Sequence, residues 1–212
     1  MGDRPHIYVL AGVNGAGKSS VGGAAFRARG VDYYNPDEAA REIRDARPEL
    51  TPVQVNALAW QKGREMLERA IRERCDFVFE TTLGGNTISR LLGEAAKSGF
   101  DVSVWYAGLK SPELHIERVA ARVRKGGHSI PEETIRQRYE RSRLNLIQLL
   151  PDLAELRVYD NSDPAEPEAG EMPMPRLVLY LEEGRIRGPE DLAETPDWAK
   201  PIVAAALKLH LG

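Results

Sequence analysis

The chain has 212 residues, with 29 Lys and Arg against 32 Asp and Glu and a formal net charge of -3. That slightly acidic total argues against non-specific nucleic-acid binding, and the single Cys75 excludes an internal disulfide and suits a reducing cytoplasm. No run approaches the ~18 apolar residues of a membrane span, and the first strand begins by residue 7, leaving no room for a signal peptide, so a cytoplasmic location is expected.

The first element is Ile7–Ala11, a short apolar run that reads as a buried strand. It leads into Gly12-Val13-Asn14-Gly15-Ala16-Gly17-Lys18-Ser19, which fits G-x-x-x-x-G-K-[ST] at every position. Glycines let the backbone approach a phosphate and converge several N–H groups on it, at a helix N-terminus whose dipole favours an anion. Lys18 is expected at the β- and γ-phosphates of a nucleotide, and the Ser19 hydroxyl on Mg²⁺. Gly12, Asn14, Gly15, Ala16, Gly17 and Ser20 complete the predicted nucleotide-binding set. The residues from Ser20 to Arg29 can open a helix despite their glycines.

Val31–Tyr34 is a second expected strand, ended by Asn35-Pro36. Asp37 starts a helix reaching Arg44. Thr51-Pro52 starts another that runs to about Arg74, with Val55, Leu58, Ala59, Met66, Leu67, Ala70 and Ile71 at helical spacing. Phe77–Phe79 is a buried strand ending in Glu80-Thr81-Thr82-Leu83-Gly84-Gly85, followed by a helix from about Asn86 to Lys97. Asp101–Leu109 is the fourth strand. Ser111 caps a helix to about Lys125, Gly126-Gly127-His128-Ser129 breaks it, and Pro131 restarts a long helix ending near Leu150. Leu156–Asp160 is a fifth strand. This alternation predicts a three-layer α/β fold of the P-loop NTPase/kinase type, with a mostly parallel five-stranded sheet. Ser162–Pro175 reads as a linker, Arg176–Leu181 with Arg185–Arg187 as a hairpin, and Lys200–Leu211 as a terminal helix. The expected division is a core at 1–161 and an appendage at 162–212 packed on the same domain, in which no chemistry is legible.

Ligands of such sheets sit at the carboxyl ends of the strands. The glycine loop, Asp37 and Glu80 each follow a strand directly, so they are predicted to converge on one crevice. Glu80 stands where an acid can hold Mg²⁺ or face the attacking group. Thr82 can bind a substrate hydroxyl or phosphate, or simply finish the strand. Asp37 fits two roles: an acid stabilised by the dipole of its helix, and a base for an incoming hydroxyl. Arg118, Arg122 and Arg124 approach the Gly-Gly break, and Arg136, Arg138 and Arg141 leave it. Fixed guanidinium groups suit the charge of a transferring phosphoryl group, and two helices about a Gly-Gly hinge suit a lid that closes over ATP. Glu117, Glu132, Glu133 and Glu140 are interspersed, so several arginines are expected in surface pairs. Arg122 and Arg136 or Arg138 lead the candidates, and His128 reads as a structural residue of the lid.

Taken together, Ala11–Ser20, Asn35–Arg41, Glu80–Leu83 and Arg122–Pro131 with Arg136–Tyr139 resemble the zeta-toxin-like P-loop kinases over about residues 7 to 161. The resemblance implies an ATP-dependent kinase that phosphorylates a sugar hydroxyl. In the toxin members the small-molecule substrate is UDP-N-acetylglucosamine, and an antitoxin protein blocks the ATP site. Lys18 and Ser19 would then bind ATP and Mg²⁺, Asp37 would deprotonate the hydroxyl, Glu80 and Thr82 would hold substrate, and lid arginines would stabilise the moving phosphate. Gly84 departs from the charged residue that toxin members can carry there, and the double glycine resembles a broader branch of the family. Two other classes share the loop: a nucleotide-dependent ATPase switch, and a nucleic-acid 5′-kinase, which the acidic charge disfavours.

Overall fold

The computed structural model describes residues 4–18, 21–22, 33–127, 129–163 and 175–212. Ser19, Ser20, most of the helix expected from Ser20 to Arg29, Val31, Asp32, His128 and most of the expected linker lie outside the described residues.

The elements in chain order are β1 (His6–Ala11), β2 (Tyr33–Tyr34), α1 (Pro36–Ala46), α2 (Pro52–Glu73), β3 (Phe77–Thr81), α3 (Asn86–Lys97) and β4 (Asp101–Gly108). They continue with α4 (Pro112–Arg124), α5 (Glu132–Leu149), a 3₁₀ turn (Leu150–Asp152), β5 (Glu155–Asp160), β6 (Arg176–Glu182), β7 (Arg185–Gly188) and α6 (Lys200–Leu211). Local chemistry sets several starts. Asn35 caps α1, Thr51 and Gln54 form a capping box on α2, and the Ser111 side chain accepts from the Leu114 N–H on α4. Each of these helices carries proline in its first turn.

One sheet runs β2-β3-β1-β4-β5-β6-β7. The pairings from β2 through β5 are parallel, and β6 and β7 are antiparallel additions. The expected five strands are therefore seven. The hairpin that reads as part of an appendage pairs with β5, Leu156 opposite Leu181, and buries Val178, Leu179 and Leu181 in the main core. The physical reason is twofold: a lone hairpin is marginal in water, and β5 would otherwise leave an unpaired edge.

Strand alternation divides the core between the two faces. Ile7, Val9, Phe77, Phe79, Val102, Val104 and Tyr106 pack on one face with residues of α2, α3, α5 and α6. Leu10 and Val78 lie on the other, beside Tyr8, Tyr33 and Trp105. Tyr33 pairs with Val78, so its side chain shares a face with Glu80 two residues along β3. The ends of β1, β2 and β3 thus open on one side of the sheet, where the chain turns into its glycine loop, α1 and the Thr81–Gly85 segment.

Among the described residues no helix is long and apolar enough to cross a membrane.

Candidate active site

The loop after β1 is a backbone structure first. Gly12 and Gly15 have φ of +141° and +84°, and a Cβ on Gly12 would stand 2.3 Å from the Ala107 carbonyl oxygen. No other residue type fits there without moving β4. Remote donors then tie down two loop carbonyls. His115 Nδ1 donates to Asn14 O at 2.9 Å, and Asn161 Nδ2 donates to Ala16 O at 2.9 Å. The C=O of a trans peptide and the next N–H point opposite ways, so these bonds turn the Gly15 and Gly17 N–H groups to the other side. N–H groups turned to one side of a loop are the arrangement that suits an anion.

His115 is 1% exposed, and burial pulls its pKa down to about 4, which keeps the ring neutral. Its Nδ1 carries the proton, because the carbonyl oxygen it meets can only accept. Lys18 Nζ donates to Gly12 O at 3.1 Å. Burial lowers the Lys18 pKa below its ordinary value, while the nearby Glu80 and Asp37 carboxylates work in the opposite direction. Lys18 is thus a half-buried cation set between the glycine loop and two acids.

Asn14, Lys18, Asp37, Glu80, Thr82 and Arg138 all line one cavity of about 460 Å³. The expected convergence therefore occurs. Glu80 is 8% exposed at the end of β3, and its Oε1 accepts from the Tyr33 hydroxyl and, at 3.1 Å, from Asn35 Nδ2. Asp37 lies in the first turn of α1 and receives Arg122 Nη1 on its Oδ2 at 3.1 Å. Thr82 sits over a relay from the core: Ser142 Oγ donates to Thr82 O at 2.7 Å. Tyr106 then supplies the proton of its 3.0 Å contact with Ser142, since the serine hydrogen is already used. Burial pushes the Tyr106 phenol up to about 12, so it stays a donor.

The arginines separate sharply. Arg138 reaches the glycine loop, donating from Nη1 to Asn14 Oδ1 at 2.7 Å, and burial lowers its pKa while Asp37 raises it. Gly84 makes room for it, because a Cβ there would stand 2.8 Å from Arg138 Cγ. Arg136, two residues earlier, turns outward into an exposed ion pair with Glu113 at 2.6 Å and does not line the cavity. Arg118 donates to the Asp163 carbonyl, Arg143 pairs with Glu140 and bonds the Trp198 carbonyl, and Arg124 and Arg141 are exposed. The double glycine closes α4, with the Gly126 and Gly127 N–H groups donating to Val123 O and Arg122 O.

Several site residues escape a reading of the sequence alone. Val53, Asn56, Trp60 and Arg64 of α2 form a cavity wall, with Trp60 48% exposed and the Arg64 guanidinium 5.6 Å from its ring centroid. Their signal is the apolar Val53 and Trp60 lying off the α2 core stripe, exposed on an otherwise amphipathic helix. His115 and Asn161 carry no signal, because they contact the loop from 101 and 145 residues away.

Comparison with known structures supports the same fold. Chains of the AvrRxo1-ORF1:AvrRxo1-ORF2 complex, determined with sulfate ions and with ATP, superpose with a TM-score of 0.65 at 15% identity, covering 97% of this chain and 64% of theirs. The chain thus spans about two thirds of the length of these neighbours. The PezAT toxin-antitoxin system of Streptococcus pneumoniae gives a TM-score of 0.53 at 13% identity, covering 76% of this chain and 70% of the other. A kinase-like protein of Chloroflexus aurantiacus gives 0.51 at 15% identity over 66% of this chain and 80% of its own. In sequence, an uncharacterised protein of Haemophilus influenzae is 33% identical over 129 residues, 60% of this chain and 88% of that one. The model of the zeta toxin family matches residues 1–166, and this chain belongs to that family.

Proposed function

We propose that the protein is an ATP-dependent phosphotransferase that moves the γ-phosphate of ATP to a hydroxyl of a small molecule. The observation that carries this reading is the convergence of Lys18, Asp37, Glu80 and Arg138 on one cavity, with Arg122 on Asp37. One carboxylate beside the lysine would serve any ATPase as a metal ligand, so the acceptor reading rests on the second, Asp37, which lines the same cavity as Glu80. The positive-φ glycines and tethered carbonyls fit the triphosphate, and an AvrRxo1 neighbour was determined with ATP.

In this reading Asp37 takes the proton of the acceptor hydroxyl as its oxygen attacks the γ-phosphorus. The bond from that phosphorus to the β–γ bridging oxygen breaks, and ADP leaves. Lys18, Arg138 and Arg122 stabilise the charge spread over the transferring group. Mg²⁺ usually takes only one or two protein carboxylates beside substrate phosphates and water. Glu80, whose Oε2 receives no hydrogen bond among the described residues, and the Ser19 hydroxyl would hold it. When bound it would neutralise the β- and γ-oxygens.

The α2 wall describes the acceptor side. Trp60 offers a flat apolar face and Arg64 a cation, which suits a ring-bearing acidic acceptor such as a UDP-sugar, UDP-N-acetylglucosamine being the first to try. An antitoxin is a partner to test, given that PezAT is a toxin-antitoxin system. The deciding experiment follows label from γ-³²P-ATP into a panel of nucleotide sugars, sugar acids and a 5′-hydroxyl oligonucleotide. Transfer to a small molecule that is lost in Asp37→Ala is expected. Hydrolysis indifferent to every acceptor and to Asp37→Ala would favour an ATPase switch, and transfer to the oligonucleotide a 5′-kinase.

A further inference from the structure

Asn35 stands between the two acids of the site and touches both of their supports. Its Oδ1 accepts the N–H of Asp37 at 2.8 Å and that of Glu38 at 3.3 Å, which caps α1. Its Nδ2 donates to Glu80 Oε1 at 3.1 Å, and the Tyr33 hydroxyl donates to that same oxygen. We propose that Asn35 is a positioning residue that locks Asp37 and Glu80 in one mutual arrangement, with Tyr33 as a second stay on Glu80. The proposal rests on the phosphotransferase reading above.

The residue type is the first argument. A helix cap needs only an acceptor, and Ser, Thr and Asp supply one as well as Asn does. Only Asn among them also carries a donor on the same planar group. Here both ends of the amide are used, and both require the same orientation: oxygen toward the N–H groups, nitrogen toward the carboxylate. Because the group is rigid, a slip of the first turn of α1 against β3 would pull on Glu80, and a rotation of Glu80 would pull on the turn that bears Asp37.

Burial is the second argument. Glu80 is 8% exposed, so water cannot replace a lost donor easily. Both donors meet Oε1, which fixes the carboxylate plane and leaves Oε2 with no hydrogen bond among the described residues. Arg122 holds Asp37 from the far side at 3.1 Å. Asp37 and Glu80 are thus set by a frame built from the β2–α1 junction, and neither Tyr33 nor Asn35 need touch a substrate.

A frame of this kind acts on chemistry more than on binding, since a misplacement of about 1 Å can cost on the order of 10²-fold in rate. The test uses Asn35→Ser, which keeps a capping acceptor and replaces the amide donor to Glu80 by a shorter hydroxyl, Asn35→Asp, which keeps the cap and sets a carboxylate against Glu80, and Tyr33→Phe. Label from γ-³²P-ATP is followed into UDP-N-acetylglucosamine and into water. For Asn35→Ser kcat should fall about 10- to 100-fold with the KM for ATP within about twofold, Asn35→Asp should fall further, and Tyr33→Phe less. Urea midpoints of Asn35→Ser, Glu80→Gln and their double variant should be non-additive. Additive midpoints would overturn the bridge, and an unchanged kcat in Asn35→Ser would reduce Asn35 to a cap. Wild-type protein that transfers label to no small molecule of the panel named above, with the midpoints still non-additive, would defeat the phosphotransferase reading and leave the bridge standing.

Discussion

The two sides of the cavity are made of different material. On the side proposed for the nucleotide the wall is backbone: glycines at positive φ, carbonyls tied by His115 and Asn161, and a lysine folded back on Gly12 O. On the side proposed for the acceptor the wall is made by side chains of separate segments, with Trp60 and Arg64 from α2, Thr82 after β3 and Thr134 from α5. A backbone site serves one chemical group, the phosphate, which every nucleotide shares. A side-chain wall can be respecified by a few substitutions without disturbing the loop. Under the proposed function catalytic machinery and specificity would be separable, and substitutions can be chosen to strike one side at a time.

The largest effect should come from the nucleotide side. Lys18→Ala removes the half-buried cation of the cavity and should lower kcat by roughly 10²–10³-fold, with far-UV circular dichroism unchanged. Next is the support beneath the loop. His115 has a folded pKa of about 4 against an unfolded value near 6.5. The unfolded chain therefore binds the proton first, and stability present above about pH 6.5 is lost as pH falls toward 4. The shift corresponds to about 3 kcal/mol at its limit, read as the urea midpoint against pH. His115→Gln should flatten that slope, and an unchanged slope would mean that other groups dominate it.

A third comparison lies within α5. Arg138→Met should lower kcat about tenfold or more, because Arg138 reaches the cavity and the glycine loop. Arg136→Met should leave kcat unaltered and cost no more than the ~0–1 kcal/mol of an exposed ion pair. Equal losses at the two positions would return Arg136 to the site. The smallest expected effect is on the acceptor side. Arg64→Met should raise the KM for an acidic acceptor about tenfold while the KM for ATP holds. An equal rise for ATP would mean that the two sides are not separable.

How much of this was legible in the sequence depended on how each feature is built. The strands and helices around the site were readable because apolar spacing and caps such as Thr51-Pro52 and Ser111-Pro112 act within a few residues. The strand count was not. Nothing in Arg176–Glu182 says that it should close the edge of β5 rather than pack elsewhere. The arginines show the limit most clearly. Arg136 and Arg138 are equivalent as letters, yet helical geometry sends them to different faces, one to Glu113 and one to Asn14.

The sequence by itself determined the glycine loop after β1, since a run of glycines ending in Lys18 and preceded by a strand has few other ways to fold. It also determined that Asp37 opens the helix after β2 and that Glu80 stands near the end of β3. Tertiary structure alone decided which arginines join them, that α2 supplies the other wall, and that Asn35 spans the two acids. The reason is physical: backbone conformation is a local property of residue type. Contacts across 45 residues, such as Asn35 to Glu80, or 124, such as Arg138 to Asn14, exist only once the sheet has brought the segments together.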